Sequence, residues 1–110
     1  MSVIHKDLAK GRFYQMSLCE QMANIGSEVE RALNWHEKKN ADYSQKAFER
    51  ALDLISIAIS GVTDISRLKE LARTREALND YFIGDNQFLS TNASWRKYFL
   101  HFARAVRRSY

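Results

Sequence analysis

The residues best suited to chemistry in this sequence are the cations of its final segment. Residues 86–110 contain five Lys or Arg and no Asp or Glu, whereas residues 1–85 contain twelve cations and thirteen anions. Lys97, Arg104 and Arg108 recur at spacings of seven and four, which aligns them along one face of a helix. Such a stripe can follow a phosphate backbone, although a solvated helix surface has the same pattern. The cations predicted to bind nucleic acid are Lys97, Arg104, Arg107 and Arg108.

Other catalytic and metal-binding patterns are missing from the sequence. Its histidines are His5, His36 and His101, and none has short-range ligand spacing to another or to Cys19. No glycine-rich phosphate loop and no G-x-S-x-G nucleophile elbow is present. We therefore expect no metal site and no cofactor, and we interpret Cys19 as a small buried hydrophobe.

Four helices are predicted to position these residues. Hydrophobic spacing places them at about 13–39, 41–60, 65–82 and 93–108, and no stretch alternates with the period of a strand. The predicted N-caps are Ser17 (within a capping box), Asn40, Thr63 or Asp64, and Ser90 or Thr91. The short connections favour an all-α fold, an up-and-down antiparallel four-helix bundle that forms a single domain over 1–110.

Apolar faces predict how these helices pack. In the first helix Leu18, Met22, Ile25, Val29, Ala32 and His36 form one stripe, and Gly26 either marks a kink or lets another backbone approach closely. Apolar residues over 52–59 cover more than half of the second helix, which is typical of packing against several neighbours or across a subunit interface. We expect a homodimer through that helix.

Aromatic residues are concentrated near the end of the chain. Seven of the thirteen lie between positions 81 and 102, at helical spacings that favour core packing over base stacking. Phe88 is the exception, because it lies in the polar loop 83–92 and off any helical stripe, so it could be exposed. No signal peptide and no membrane-spanning stretch is recognisable, and we expect a soluble cytoplasmic protein without membrane partners.

A family resemblance adds an enzymatic hypothesis. The run Arg96-Lys-Tyr-Phe-Leu-His101 has the Arg-x4-His form of the last helix of HEPN domains, and the chain resembles these small all-α bundles in length and helix order. The resemblance implies that Arg96 and His101 form a metal-independent RNase site at a dimer interface. During RNA cleavage, His101 would transfer a proton to or from the 2′-hydroxyl or the leaving oxygen. Arg96 would stabilise the negative charge that develops on the phosphorane. Inactive HEPN members instead bind nucleic acid or accompany nucleotidyltransferases.

Three functions therefore stand as hypotheses. The first is a non-enzymatic binding module that associates with nucleic acid, or with a nucleic-acid-processing protein, through the basic last helix. The second is a HEPN-type RNase that uses Arg96 and His101. The third is a scaffold subunit of a protein complex, in which the basic residues serve solubility.

Overall fold

The helices begin where the capping residues predict. The computed structural model describes residues 11–108, which contain α1 (Leu18–Glu37), α2 (Ala41–Gly61), α3 (Ile65–Phe82) and α4 (Asn92–Arg108). A short helical segment at 11–14 precedes α1, and no strand occurs in this part of the chain. The predicted all-α class is confirmed.

At the start of each helix, a side chain accepts a hydrogen bond from a backbone N–H group that has no partner within the helix. The Ser17 hydroxyl accepts from the Glu20 backbone N–H, and the Glu20 carboxylate accepts from the Ser17 backbone N–H, both at 3.1 Å. Asn40 and Asp64 accept in the same way from the first turns of α2 and α3. Thr91 accepts from the Ser94 backbone N–H at 2.9 Å and starts α4. Each cap contributes about 1 kcal/mol to helix stability, so the sequence defines these boundaries locally.

The core lies between α1 and its two main neighbours, α2 and α4. Its largest fully buried side chains include Met22, Ile25 and Leu33 of α1 and Phe48 and Ile55 of α2. The contact of α3 with α2 is less extensive, and Leu71 and Leu78 are its fully buried apolar residues. The up-and-down antiparallel arrangement of a four-helix bundle remains a prediction.

Gly26 allows α4 to approach α1 closely. A Cβ atom at this position would lie 2.8 Å from Cβ of Phe99, closer than real side chains approach. Gly26 thus permits a close approach, but the approaching group is a side chain of α4 and not another backbone, as the sequence alternative had it. The same helix corrects one sequence expectation, because His36 is exposed and does not continue the buried stripe.

Candidate polyanion-binding surface on the last helix

Three cations form an exposed row along α4, which we call the basic stripe: Lys97, Arg104 and Arg108. All three are exposed, as is Arg107, and none is paired with a carboxylate of residues 11–108. The stripe keeps its positive charge open to solvent because α4 contains no acidic residue and because no carboxylate of residues 11–108 forms an ion pair with it. This arrangement can bind an extended anion at several points.

Arg96, unlike its neighbour Lys97, is paired with carboxylates. Its Nε donates to both carboxylate oxygens of Glu30 at 3.1 Å, and its two terminal nitrogens donate to Glu37 at 2.9 and 3.0 Å. A further bond at 3.1 Å reaches the amide oxygen of Asn34. Two carboxylates thus surround one guanidinium, and the pKa of Arg96 is raised above its usual range by its hydrogen bonds to Glu37 and, more weakly, to Glu30.

This Arg96 cluster also ties α4 to the end of α3. The Asn92 amide donates to Glu37 at 2.8 Å, and its oxygen accepts from the Tyr81 hydroxyl. Hydrogen bonds from Arg96 and Asn92 hold the pKa of the Glu37 carboxyl below its usual value. Burial raises the pKa of Tyr81, so its hydroxyl remains a donor at neutral pH. The cluster acts as a clamp between three helices.

The residues that clamp Arg96 were not singled out from the sequence. Glu30, Asn34 and Glu37 recur at spacings of four and three, which places them on one face of α1. That spacing is a usable signal, but only the tertiary structure shows that an arginine of α4 lies opposite it. The counter-charges of α4 lie on another helix, so the spacing within α4 does not reveal them.

The two residues of the predicted RNase motif have different surroundings. His101 is exposed, and its ring lies edge-on to Phe102 at 5.5 Å between centroids. Arg96 donates its side-chain hydrogen bonds to Glu30, Asn34 and Glu37 of α1, which directs its charge towards the two carboxylates. Stabilising a phosphorane would require Arg96 to leave these carboxylates. The RNase assignment of Arg96 and His101 remains a prediction.

The face of α4 opposite the basic stripe packs against the core. Trp95 and Phe99 are buried and lie nearly parallel, with 5.9 Å between ring centroids. The Tyr98 hydroxyl donates to Glu70 and is 2.8 Å from the Thr74 hydroxyl. Burial, and then the bond to Glu70, raise the pKa of Tyr98, so this hydroxyl stays protonated. The predicted core role of these aromatic residues is confirmed.

The loop before α4 is braced by its own polar side chains. The Asp80 carboxylate accepts from the backbone N–H groups of Gln87 and Phe88 at 2.7 and 3.0 Å. The Asn86 side chain bonds both backbone groups of Ser90. This bracing holds Phe88 with 57% of its surface exposed, as its position off the helical stripe predicted.

Comparisons with models of protein families, with curated proteins and with solved structures found no match. Residues 11–108 contain no group of three or more His, Cys, Asp and Glu side chains that could hold a metal ion. Over the same residues, no helix has the length and hydropathy needed to cross a membrane. The geometry of α4 is therefore the main basis for a functional proposal.

The predicted dimer surface on α2 is partly used within the chain. Leu52, Leu54, Ile57 and Ile59 are half-buried and pack against the core of their own chain. Intramolecular packing thus accounts for part of the broad apolar surface of this helix. A homodimer through α2 remains a prediction.

Proposed function

We propose that the protein is a non-enzymatic helical module that binds nucleic acid through the basic stripe of α4. The observation that carries this proposal is the contrast between Arg96, which two carboxylates neutralise, and the stripe, whose three cations face solvent without an acidic partner among the described residues. Phosphate groups of a polynucleotide would supply the missing negative charge.

The spacing of the stripe supports an extended ligand over a single small anion. At a rise of 1.5 Å per residue, Lys97 and Arg104 lie about 10 Å apart along the helix axis, and Arg108 lies about 6 Å further. These separations are comparable to two or three phosphate steps of a strand, which rises about 3.4 Å per nucleotide. A stripe of this length favours several simultaneous phosphate contacts.

A non-enzymatic role is supported by Arg96, one of the two residues of the RNase motif, because its guanidinium is engaged with carboxylates of α1. We propose that the four helices form one up-and-down bundle that presents α4, which the short connections after α1 and α2 support. The single cysteine, Cys19, is compatible with action in the cytoplasm.

A titration of RNA and DNA oligonucleotides at several salt concentrations tests the proposal. We expect Lys97→Glu, Arg104→Glu and Arg108→Glu together to abolish most binding. Loss of three phosphate contacts should reduce the slope of log affinity against log salt by about two to three units.

The matched control reverses three exposed cations elsewhere, with Lys46→Glu, Lys69→Glu and Arg75→Glu. It changes the net charge by the same amount and should retain most of the affinity, because these residues lie on α2 and α3. An equal loss of affinity in both triple variants would show that binding depends on the net charge of the protein. That result would contradict binding through the basic stripe. RNA degradation in EDTA that His101→Ala removes would instead favour the RNase hypothesis.

A further inference from the structure

Two features of the surface lack a partner within the described chain. The first is a set of exposed apolar side chains on one loop. Ile83, Phe88 and Leu89 project from the loop between α3 and α4 with 65%, 57% and 83% of their surfaces exposed. We call these three side chains the apolar knuckle. Large apolar side chains gathered at one exposed loop are typical of contact surfaces between proteins.

The loop holds the apolar knuckle in a fixed shape. Asn86 and Leu89 both have positive φ, at 54° and 56°. A left-handed conformation costs a residue such as leucine about 1–2 kcal/mol, and the bonds from Asp80 and Asn86 maintain it. These bonds hold the loop in one conformation, in which Leu89 is exposed. A pre-organised loop also loses little entropy on binding.

The second unpartnered feature is a groove between α1 and α4. It is an open groove of about 590 Å³ whose small and apolar lining includes Ala23, Gly26, Phe99, Leu100 and Ala103. Its charged lining residues, Glu30, Arg31 and Arg96, are each paired within the chain. Gly26 brings the two helices close at one point, and the short side chains beside it leave the groove open. Leu100, in its wall, has 41% of its surface exposed.

Charge indicates what fits this groove. Arg107 follows Ala103 by one helical turn on the same face of α4, beyond the residues that line the groove, and it is exposed and without a carboxylate partner among residues 11–108. A matching occupant therefore combines apolar side chains with an unpaired acid. The knuckle loop has this combination, because Asp85 is exposed between Ile83 and Phe88 and pairs with no cation of the described chain.

We propose that two copies of this chain associate, with the apolar knuckle of each copy seated in the α1–α4 groove of the other. Docking in both directions uses the same two surfaces twice and closes a symmetric dimer. Leu89 and Phe88 would lie against Leu100 and Ala103, and Asp85 would approach Arg107. This contact differs from the dimer predicted through α2.

The dimer does not depend on nucleic-acid binding. Ala103 and Lys97 are about 120° apart around α4, so the groove and the basic stripe lie on different faces. Both surfaces can be occupied at once. A failure of one proposal leaves the other intact.

Directed disulfide formation between two variants tests the proposed contact. In a Cys19→Ala background, Leu89→Cys protein is mixed with Ala103→Cys protein under mild oxidation. Seating of the knuckle brings these two positions within the short Cα separation that a disulfide requires. We expect a cross-linked dimer in the mixture and little in either variant alone.

The matched control mixes Leu89→Cys with Lys97→Cys, which has its thiol on the basic face of the same helix. Cross-linking at an equal rate in this control would overturn the proposal, because it would reflect random collision. Predominant linkage of Leu89→Cys to itself would also overturn it, because the loops would then pack against each other.

Sedimentation equilibrium of the unmodified chain gives a second measurement. We expect a dimer, and we expect Leu89→Asp to raise its dissociation constant by about tenfold or more, because a leucine would no longer be buried. Ile65→Asp, which changes an exposed apolar residue at the start of α3, should leave the constant unchanged. A chain that stays monomeric, or a dimer insensitive to Leu89→Asp, would contradict the proposed contact.

Discussion

The two sides of α4 show what decides whether a positive residue on a helix is available for binding. On the side that faces α1, Arg96 is held by Glu30 and Glu37, and Phe99 packs beside Gly26. On the solvent side, Lys97 and Arg104 have no acidic partner among the described residues. Arg96 and Lys97 are adjacent in sequence, so helix orientation alone separates a structural cation from one available to a ligand.

The largest effect on stability should come from the packed side of the helix. Phe99→Ala removes a ring that contacts Gly26 and Trp95, and we expect a loss of about 3–5 kcal/mol in the free energy of unfolding. Arg104→Ala is the control on the solvent side, where the side chain is exposed and has no carboxylate partner among residues 11–108, and it should cost less than about 1 kcal/mol. Denaturant unfolding measures both. Equal losses would show that the two sides of α4 do not differ in packing.

A smaller effect is expected from the clamped arginine. Arg96→Ala breaks a guanidinium contact with two carboxylates, but all three side chains are partly exposed, so solvent screening limits the loss to about 1 kcal/mol. Lys97→Ala, at the next position, should change stability by much less, because it has no ion pair in the described chain. Thermal unfolding should separate them by about 4–8 °C. The effects on nucleic-acid affinity should have the opposite order: Lys97→Ala should weaken binding more than Arg96→Ala does.

The smallest effect concerns pH. Arg96 and Asn92 lower the pKa of Glu37 from its ordinary value of 4.5, so the ionised carboxylate is stabilised in the folded state. This contribution is fully present above pH 4.5 and is lost as the pH falls through the lowered pKa of the folded protein.

Thermal unfolding between neutral pH and pH 3 measures this dependence. Glu37→Gln should make stability less sensitive to acid than in the unmodified protein. Glu76→Gln, an exposed residue on α3, should leave the acid sensitivity unchanged. An identical pH profile for Glu37→Gln and the unmodified chain would show that the clamp contributes no pH-dependent stability.

Much of the local structure could be predicted from the sequence because its determinants are neighbours in the chain. Ser17, Asn40 and Asp64 cap helices through groups at most three residues away. The apolar spacing of α4 also identified Trp95 and Phe99 as buried, because apolar residues that recur with the helical period fall on the side of the helix that faces the core. Exposure of Phe88 followed from its place in a loop.

Long-range partners could not be predicted in this way. Arg96 is 59 residues from Glu37 and 66 from Glu30. The spacing of α4 places Lys97 on the stripe and Arg96 beside it, but it does not show that carboxylates of α1 neutralise Arg96. His36 continued an apolar period in the sequence, yet it is exposed, so the period alone did not show where burial ends along α1.

The sequence by itself determined the helices, their caps and the excess of cations near the end of the chain, since each depends on residues close in sequence. Tertiary structure decided which of those cations are neutralised, where the α1–α4 groove opens and how far the apolar knuckle projects. The physical reason is that charge pairing and burial depend on distances between helices. Those distances are set by packing contacts such as Gly26 against Phe99, which no single segment encodes.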